Sequence, residues 1–220
     1  GGLVPLLDIQ LGEVIFGAVN PSGKLPITME RELADIPAMR DYPRDFARVS
    51  LRRVAIGQGN PKCRKTWTMQ YAEGLMVGYR HFTTTRTAPL YPFGFGLSYT
   101  TFTLEGIALS SPALKAGGRL EITLTVRNTG AMAGAETVQL YIREEKPVVT
   151  RPERELKNFE KIFLRPGESR KLTLRITPED LAFWDPAAGR WRAEPGEFTA
   201  LVGTSSADIS AELEFEYTGA

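Results

Sequence analysis

The second half of the chain alternates apolar and polar residues. Leu120, Ile122, Leu124 and Val126 alternate with Glu121, Thr123, Thr125 and Arg127. Successive strand side chains point to opposite faces, so this pattern predicts a strand buried on one side. The same period recurs at Val138, Leu140 and Ile142, at Leu172, Leu174 and Ile176, at Phe198, Ala200 and Val202, and at Leu213, Phe215 and Tyr217. Two further strands are expected over Phe102 to Leu109 and Leu156 to Leu164. The turn sequences Asn128-Thr129-Gly130, Arg165-Pro166-Gly167-Glu168 and Glu194-Pro195-Gly196 separate these runs. Pro178 to Leu181 fits one helical turn. About seven short strands punctuated in this way predict an antiparallel β-sandwich of immunoglobulin or fibronectin type III shape. The Cys pair of antibody domains is missing, so the fibronectin-like version is preferred. Residues 98–220 are expected to form this domain and to fold alone.

The first part has no such regularity. Leu6, Leu7, Ile9, Leu11, Val14, Ile15 and Phe16 approach a 3.6-residue period. They predict a short amphipathic helix with Pro5 in its first turn and Gly17 at its end. Asn20-Pro21-Ser22-Gly23 reads as a turn, and Lys24 to Met29 as a short extended strand restricted by Pro26. Residues 30–70 show no sustained period and read as loop, with one helical turn around Asp45 to Arg53. So long an irregular stretch is unusual inside a compact domain. One helix and one edge strand cannot enclose a core. Residues 1–97 are therefore expected to be an incomplete α/β segment whose packing partner lies elsewhere. Between the two parts, Tyr71 to Phe102 concentrates aromatic rings beside Gly74, Gly78, Gly94 and Gly96. Large rings beside tight turns predict packing between two bodies more readily than a catalytic centre.

Composition narrows the function classes. Hydrophobic residues make up 42% and charged residues 24% of the 220, which excludes general disorder. The 27 basic and 26 acidic residues leave a net charge of +1. No strong field is available to attract nucleic acid or an anionic membrane, so neither is an expected partner. No apolar run reaches the roughly 18 residues of a membrane helix. Cys63 is the one cysteine, so no internal disulfide can form and the compartment stays open. The opening GGLVPLLDIQ has no basic residue ahead of its apolar ones and does not read as a signal peptide. It also lacks an initiator Met, as expected of a piece of a longer or processed chain.

Candidate chemistry is sparse. His81 is the single histidine, and any serine or cysteine nucleophile needing an imidazole would depend on it. Its place between Arg80 and Phe82 points to packing. One His and one Cys cannot furnish a usual zinc site, so no metal is expected. NPSGK at Asn20 to Lys24 is not a phosphate loop, and no cofactor motif occurs. Paired carboxylates could serve a glycosidase, but abundant acidic residues make some pair inevitable. Glu73 stands out because it lies among rings; pairing with Arg80 is the simpler expectation. Glu144, Glu145, Glu153, Glu155 and Glu160 are expected on a solvated charged surface. Trp67, Trp184 and Trp191 could stack on sugar rings, although Trp184 and Trp191 are expected to pack on the sandwich.

Several stretches together resemble a known family. YAEGLMVGYRHF, PFGFGLSYTTF, VRNTGAMAGAETVQLYI, RPERELKNFEKIFLRPGES and the late FWD…W…EPGEF…VGTSS are similar to the C-terminal portion of glycoside hydrolase family 3, whose best-known members are beta-glucosidases. GEVIFGAVNPSGKLPIT resembles the end of that family's second domain. The resemblance implies a (β/α)8-like barrel, an α/β sandwich domain and a fibronectin type III-like domain in the parent. It also implies retaining hydrolysis of a terminal, β-linked glycoside by a barrel Asp nucleophile and an α/β-domain Glu acid/base. Neither motif occurs in this chain, so no catalytic, cofactor-binding or metal residue is assigned. The expected partner is the missing barrel with the rest of the α/β domain. A small glycoside would be met only through that parent. The rival reading is a non-catalytic β-sandwich that binds carbohydrate or protein.

Overall fold

The structure, a computed structural model, describes residues 11–40 and 72–219. The turn expected around Asp45 to Arg53, together with Cys63 and Trp67, lies outside the described residues. The fold is mainly β. Strands are β1 (Phe102–Leu109), β2 (Ala113–Lys115), β3 (Leu120–Asn128), β4 (Gly134–Glu144), β5 (Glu155–Leu164), β6 (Ser169–Ile176), β7 (Phe183–Asp185), β8 (Arg190–Arg192), β9 (Gly196–Gly203) and β10 (Ile209–Gly219). Within residues 72–219 the α-helices are α1 (Tyr79–Thr85) and α2 (Pro178–Leu181). One sheet has the order β1-β3-β6 and the other β2-β10-β9-β4-β5, while β7 and β8 form a separate hairpin.

The alternation sets the register and the core. Leu120 pairs with Ile176, Ile122 with Leu174 and Leu124 with Leu172. All six side chains point inward and are buried. Val138, Leu140, Ile142, Ile162, Leu164, Phe198, Ala200, Val202, Phe215 and Tyr217 meet them from the other sheet. Fully burying one such aliphatic or aromatic side chain contributes roughly 1.5 to 3 kcal/mol. The two inner faces therefore supply a core that needs nothing from residues 11–40. Capping box Thr177/Asp180 and Pro178 start α2, and Leu181 anchors it in the core.

Three features depart from the alternation rule. First, β2 runs parallel to β10, so the sandwich is not wholly antiparallel. Second, β7 and β8 are strands too short for a period-two pattern to reveal. Third, β4 is buried on both faces: Gln139 and Tyr141 are as inaccessible as Val138 and Leu140. Alternation predicted solvent over Gln139 and Tyr141. Residues 79–94 lie there instead.

The first part is loop with short helical pieces, including 3-10 turns at Leu33–Asp35 and Pro37–Arg40 in the stretch expected to be loop. Residues 11–15 are helical and end at Gly17, as expected. Lys24 to Met29 does not form a continuous strand. Pro26 has no N–H to donate, and only an isolated bridge joins Met29 to Tyr91.

Candidate functional site

The functional feature built by these elements is the junction that seats residues 72–99 on the outer face of β4, β5 and β9. Tyr79 opens α1 and lies 4.9 Å from Phe93 and 5.8 Å, edge-on, from Tyr141, centroid to centroid. Its hydroxyl accepts a hydrogen bond from the Leu156 N–H at 2.9 Å. The Ser206 N–H donates to the Phe93 carbonyl at 2.9 Å, and the Glu153 N–H to Thr84 Oγ1 at 2.9 Å. Gln139 stands at the centre. Its Nε2 donates to the Thr204 carbonyl at 2.7 Å, and its Oε1 accepts from the Tyr141 hydroxyl. Burial pushes the Tyr141 hydroxyl well above its ordinary range, so it remains a donor at neutral pH.

Two glycines allow this closeness. Gly94 adopts φ +80, and a Cβ there would come within 2.4 Å of Gln139 Oε1. A Cβ on Gly96 would come within 2.4 Å of the Gly23 carbonyl oxygen. Both positions require a residue without a side chain.

Asn20 ties the first part to the sandwich. Its Nδ2 donates to the Ala133 carbonyl at 2.9 Å, and its Oδ1 accepts from Ser98 Oγ at 3.0 Å and the Tyr99 N–H at 2.8 Å. Lys24 pairs with Glu136 at 2.6 Å. Composition marked Asn20 as a turn residue only; the Asn-Pro pair was the one available signal for its bridging role. Asn128 is fully buried and satisfied. Its amide donates to Met132 and Leu164 carbonyls and accepts from the Thr100 hydroxyl and the Gly130 N–H.

A charge cluster locks the rim. Arg151 donates to Glu144 at 2.7 Å, to Glu155 at 2.8 Å and to the Leu181 carbonyl at 2.9 Å. Arg80 reaches Glu155 at 3.4 Å. Burial pushes the Glu155 carboxyl up, but the Arg151 hydrogen bond and the charges of Lys157, Arg151 and Arg80 outweigh it. The net result holds it below its ordinary range. Glu144 and Glu155 are thus largely covered ion-pair partners, contrary to the solvated surface expected of them. The sequence showed their charge but not Arg151 opposite.

The remaining candidates separate. Glu73 does not pair with Arg80, which is taken by Glu155; its Oε2 has no partner among the described residues. His81 is buried and packs edge-on against Phe82 at 5.4 Å. Trp184 and Trp191 face each other across the β7–β8 hairpin at 5.9 Å and remain 50% and 68% exposed. This corrects the expectation that they pack on the sandwich. Their hairpin turns the opposite side, with Phe183, toward the core. Among the described residues, no cluster of His, Cys, Asp or Glu could hold a metal ion.

Comparisons with known proteins agree with this layout. Residues 9–99 match the glycosyl hydrolase family 3 C-terminal domain, and residues 136–206 match a fibronectin type III-like domain. The beta-glucosidase BoGH3A of Bacteroides ovatus is 39% identical over 207 residues, covering 94% of this chain and 26% of that protein. The thermostable beta-glucosidase B of Acetivibrio thermocellus is 39% identical over 199 residues, covering 90% and 24%. The crystal structure of the Bifidobacterium adolescentis family 3 beta-glucosidase superimposes with a TM-score of 0.78 at 39% identity, covering 94% of this chain and 27% of that one. The chain thus spans about a quarter of the length of the curated relatives it matches.

Proposed function

The chain belongs to glycoside hydrolase family 3, as the C-terminal region of such an enzyme, and from this premise we propose that it completes and braces a beta-glucosidase-type hydrolase. Residues 1–97 are the tail of the α/β sandwich domain, and residues 98–220 are the fibronectin type III-like domain that clamps it. The parent removes a terminal, β-linked sugar with retention, through a covalent glycosyl-enzyme. Its nucleophile Asp and acid/base Glu belong to the barrel and the rest of the α/β domain. The barrel and that remainder are the partner of this chain.

One observation carries this reading: the apolar surface of residues 11–40 and 72–99. Ile15, Phe16, Ile27, Leu33, Leu75, Val77 and Leu97 are all exposed, with Phe16 at 89%. Exposed apolar area this dense marks an interaction surface. The inner faces of the sandwich, by contrast, are sealed. The test is reconstitution. The 220-residue chain alone is expected to leave an aryl β-glucoside intact. Co-expression with the upstream barrel and α/β portion is expected to yield a complex that hydrolyses it. Turnover by the pure chain, abolished by one carboxylate substitution within it, would overturn the proposal.

The exposed Trp184–Trp191 pair favours a second reading, a carbohydrate-binding sandwich. Retention on insoluble glucan that is lost in Trp191→Ala would support it; identical elution of both proteins would dismiss it.

A further inference from the structure

A groove of about 310 Å³ runs beside the junction, between the C-terminal end of α1 and the start of β5. Thr28, Thr83, Arg86, Thr87, Arg154 and Ser206 supply its polar lining, and Phe82 with two prolines and two alanines completes the walls. Two polar atoms on this wall are buried with no hydrogen-bond partner among the described residues, Thr28 Oγ1 and Arg154 Nε. Buried orphans of this kind are uncommon and call for an explanation. Arg154 spends one donor, NH1, on the Ser206 carbonyl at 3.2 Å. Its remaining donors keep the planar fork that matches an oxyanion.

The charge balance points the same way. Neither Arg86 nor Arg154 makes an ion pair among the described residues, whereas Arg80, Arg143 and Arg151 nearby all do. Among the described residues, the groove lining contains two arginines and no carboxylate. The acidic residues beside Arg154 and Ala207 in sequence are committed elsewhere: Glu153 to Arg143, Glu155 to Arg151, and Asp208 to Thr204. Hydroxyl donors and guanidinium donors therefore converge on a groove that holds positive charge without a counter-charge.

We propose that the groove between Thr28, Arg86 and Arg154 binds a carboxylate or phosphate oxyanion. Arg154 grips it through the free side of its fork, Arg86 adds the second charge from the rim, and Thr28 donates its hydroxyl. The anion can come from two sources, a free small anion or an Asp or Glu side chain of the upstream enzyme. The shared chemistry is the same, and the binding does not depend on the bracing role proposed above.

The test titrates the 220-residue chain with inorganic phosphate, and separately with acetate, at constant ionic strength against chloride. Saturable binding of one equivalent is expected, with backbone NMR shifts centred on residues 28, 86 and 154. Arg154→Gln should weaken it at least tenfold, and Arg86→Gln, at an exposed position that leaves folding intact, several-fold. Arg190→Gln, on the distant β8, should change nothing. No saturation beyond the chloride control, or equal weakening by Arg86→Gln and Arg190→Gln, overturns the proposal. Repeating the titration on the chain assembled with its upstream portion separates the sources. Loss of phosphate binding assigns the groove to an upstream carboxylate, and persistence assigns it to a free anion. Failure of the two portions to assemble would count against the bracing role alone, because the titration of the chain stands by itself.

Discussion

Asn128 makes four side-chain hydrogen bonds, to Thr100, Gly130, Met132 and Leu164, from a fully buried position. Asn128→Ala would strand the Thr100 hydroxyl, the Gly130 N–H and two carbonyls. The expected loss is about 3 kcal/mol, read from the urea midpoint at unchanged m-value. Arg151→Met would strip Glu144 of its cation and leave Glu155 with only Arg80 and Lys157, at a cost of about 3 kcal/mol at neutral pH. The pH dependence has a definite sign. Glu155 is held below its ordinary 4.5, so its stabilisation is full above that value and is lost as pH falls through the lower folded one. The gap between wild type and Arg151→Met should therefore narrow in acid, in melts compared at pH 7 and below pH 4. These residue roles were hidden in the sequence. A lone Asn after a strand or an Arg before a Pro looks the same whether its partners are water or protein. The partners of Asn128 and Arg151 are up to 36 and 30 positions away.

At the scale of elements, the period-two pattern was legible where one sheet face meets the core. It located β3 and β6 and their inward residues. It misread β4, because alternation describes one buried face and β4 has two. The second face is covered by Tyr79 and Phe93, whose aromatic stretch the sequence did mark as packing between two parts. Phe93→Ala should therefore loosen residues 79–94 without opening the sandwich. Hydrogen exchange should quicken at Ser206 and Leu156, whose amides are bonded to that segment, while β3 and β6 keep their protection. A uniform loss of protection would show that the cover and the sandwich unfold as one. The β7–β8 hairpin was invisible for a different reason. Three-residue strands carry too little period, and the pairing of Trp184 with Trp191 depends on a turn rather than on apolar burial.

For the molecule as a whole, the inward faces of two sheets account for a sandwich that holds itself together. The apolar outer surface of residues 11–40 and 72–99 remains without a cover among the described residues. The sparse regular pattern of residues 1–97 is the reason the sequence reading expects their packing partner elsewhere. Introducing charge on that surface, as in Phe16→Asp, should prevent assembly with the upstream portion while leaving the melting of the sandwich unchanged. The measurement that bears most directly on the central claim is aryl β-glucoside hydrolysis by the chain alone and by the chain co-purified with its upstream barrel and α/β portion. The bracing account predicts no turnover from the first and restored turnover from the second. Hydrolysis by the isolated chain, lost on substitution of one of its own carboxylates, would contradict it.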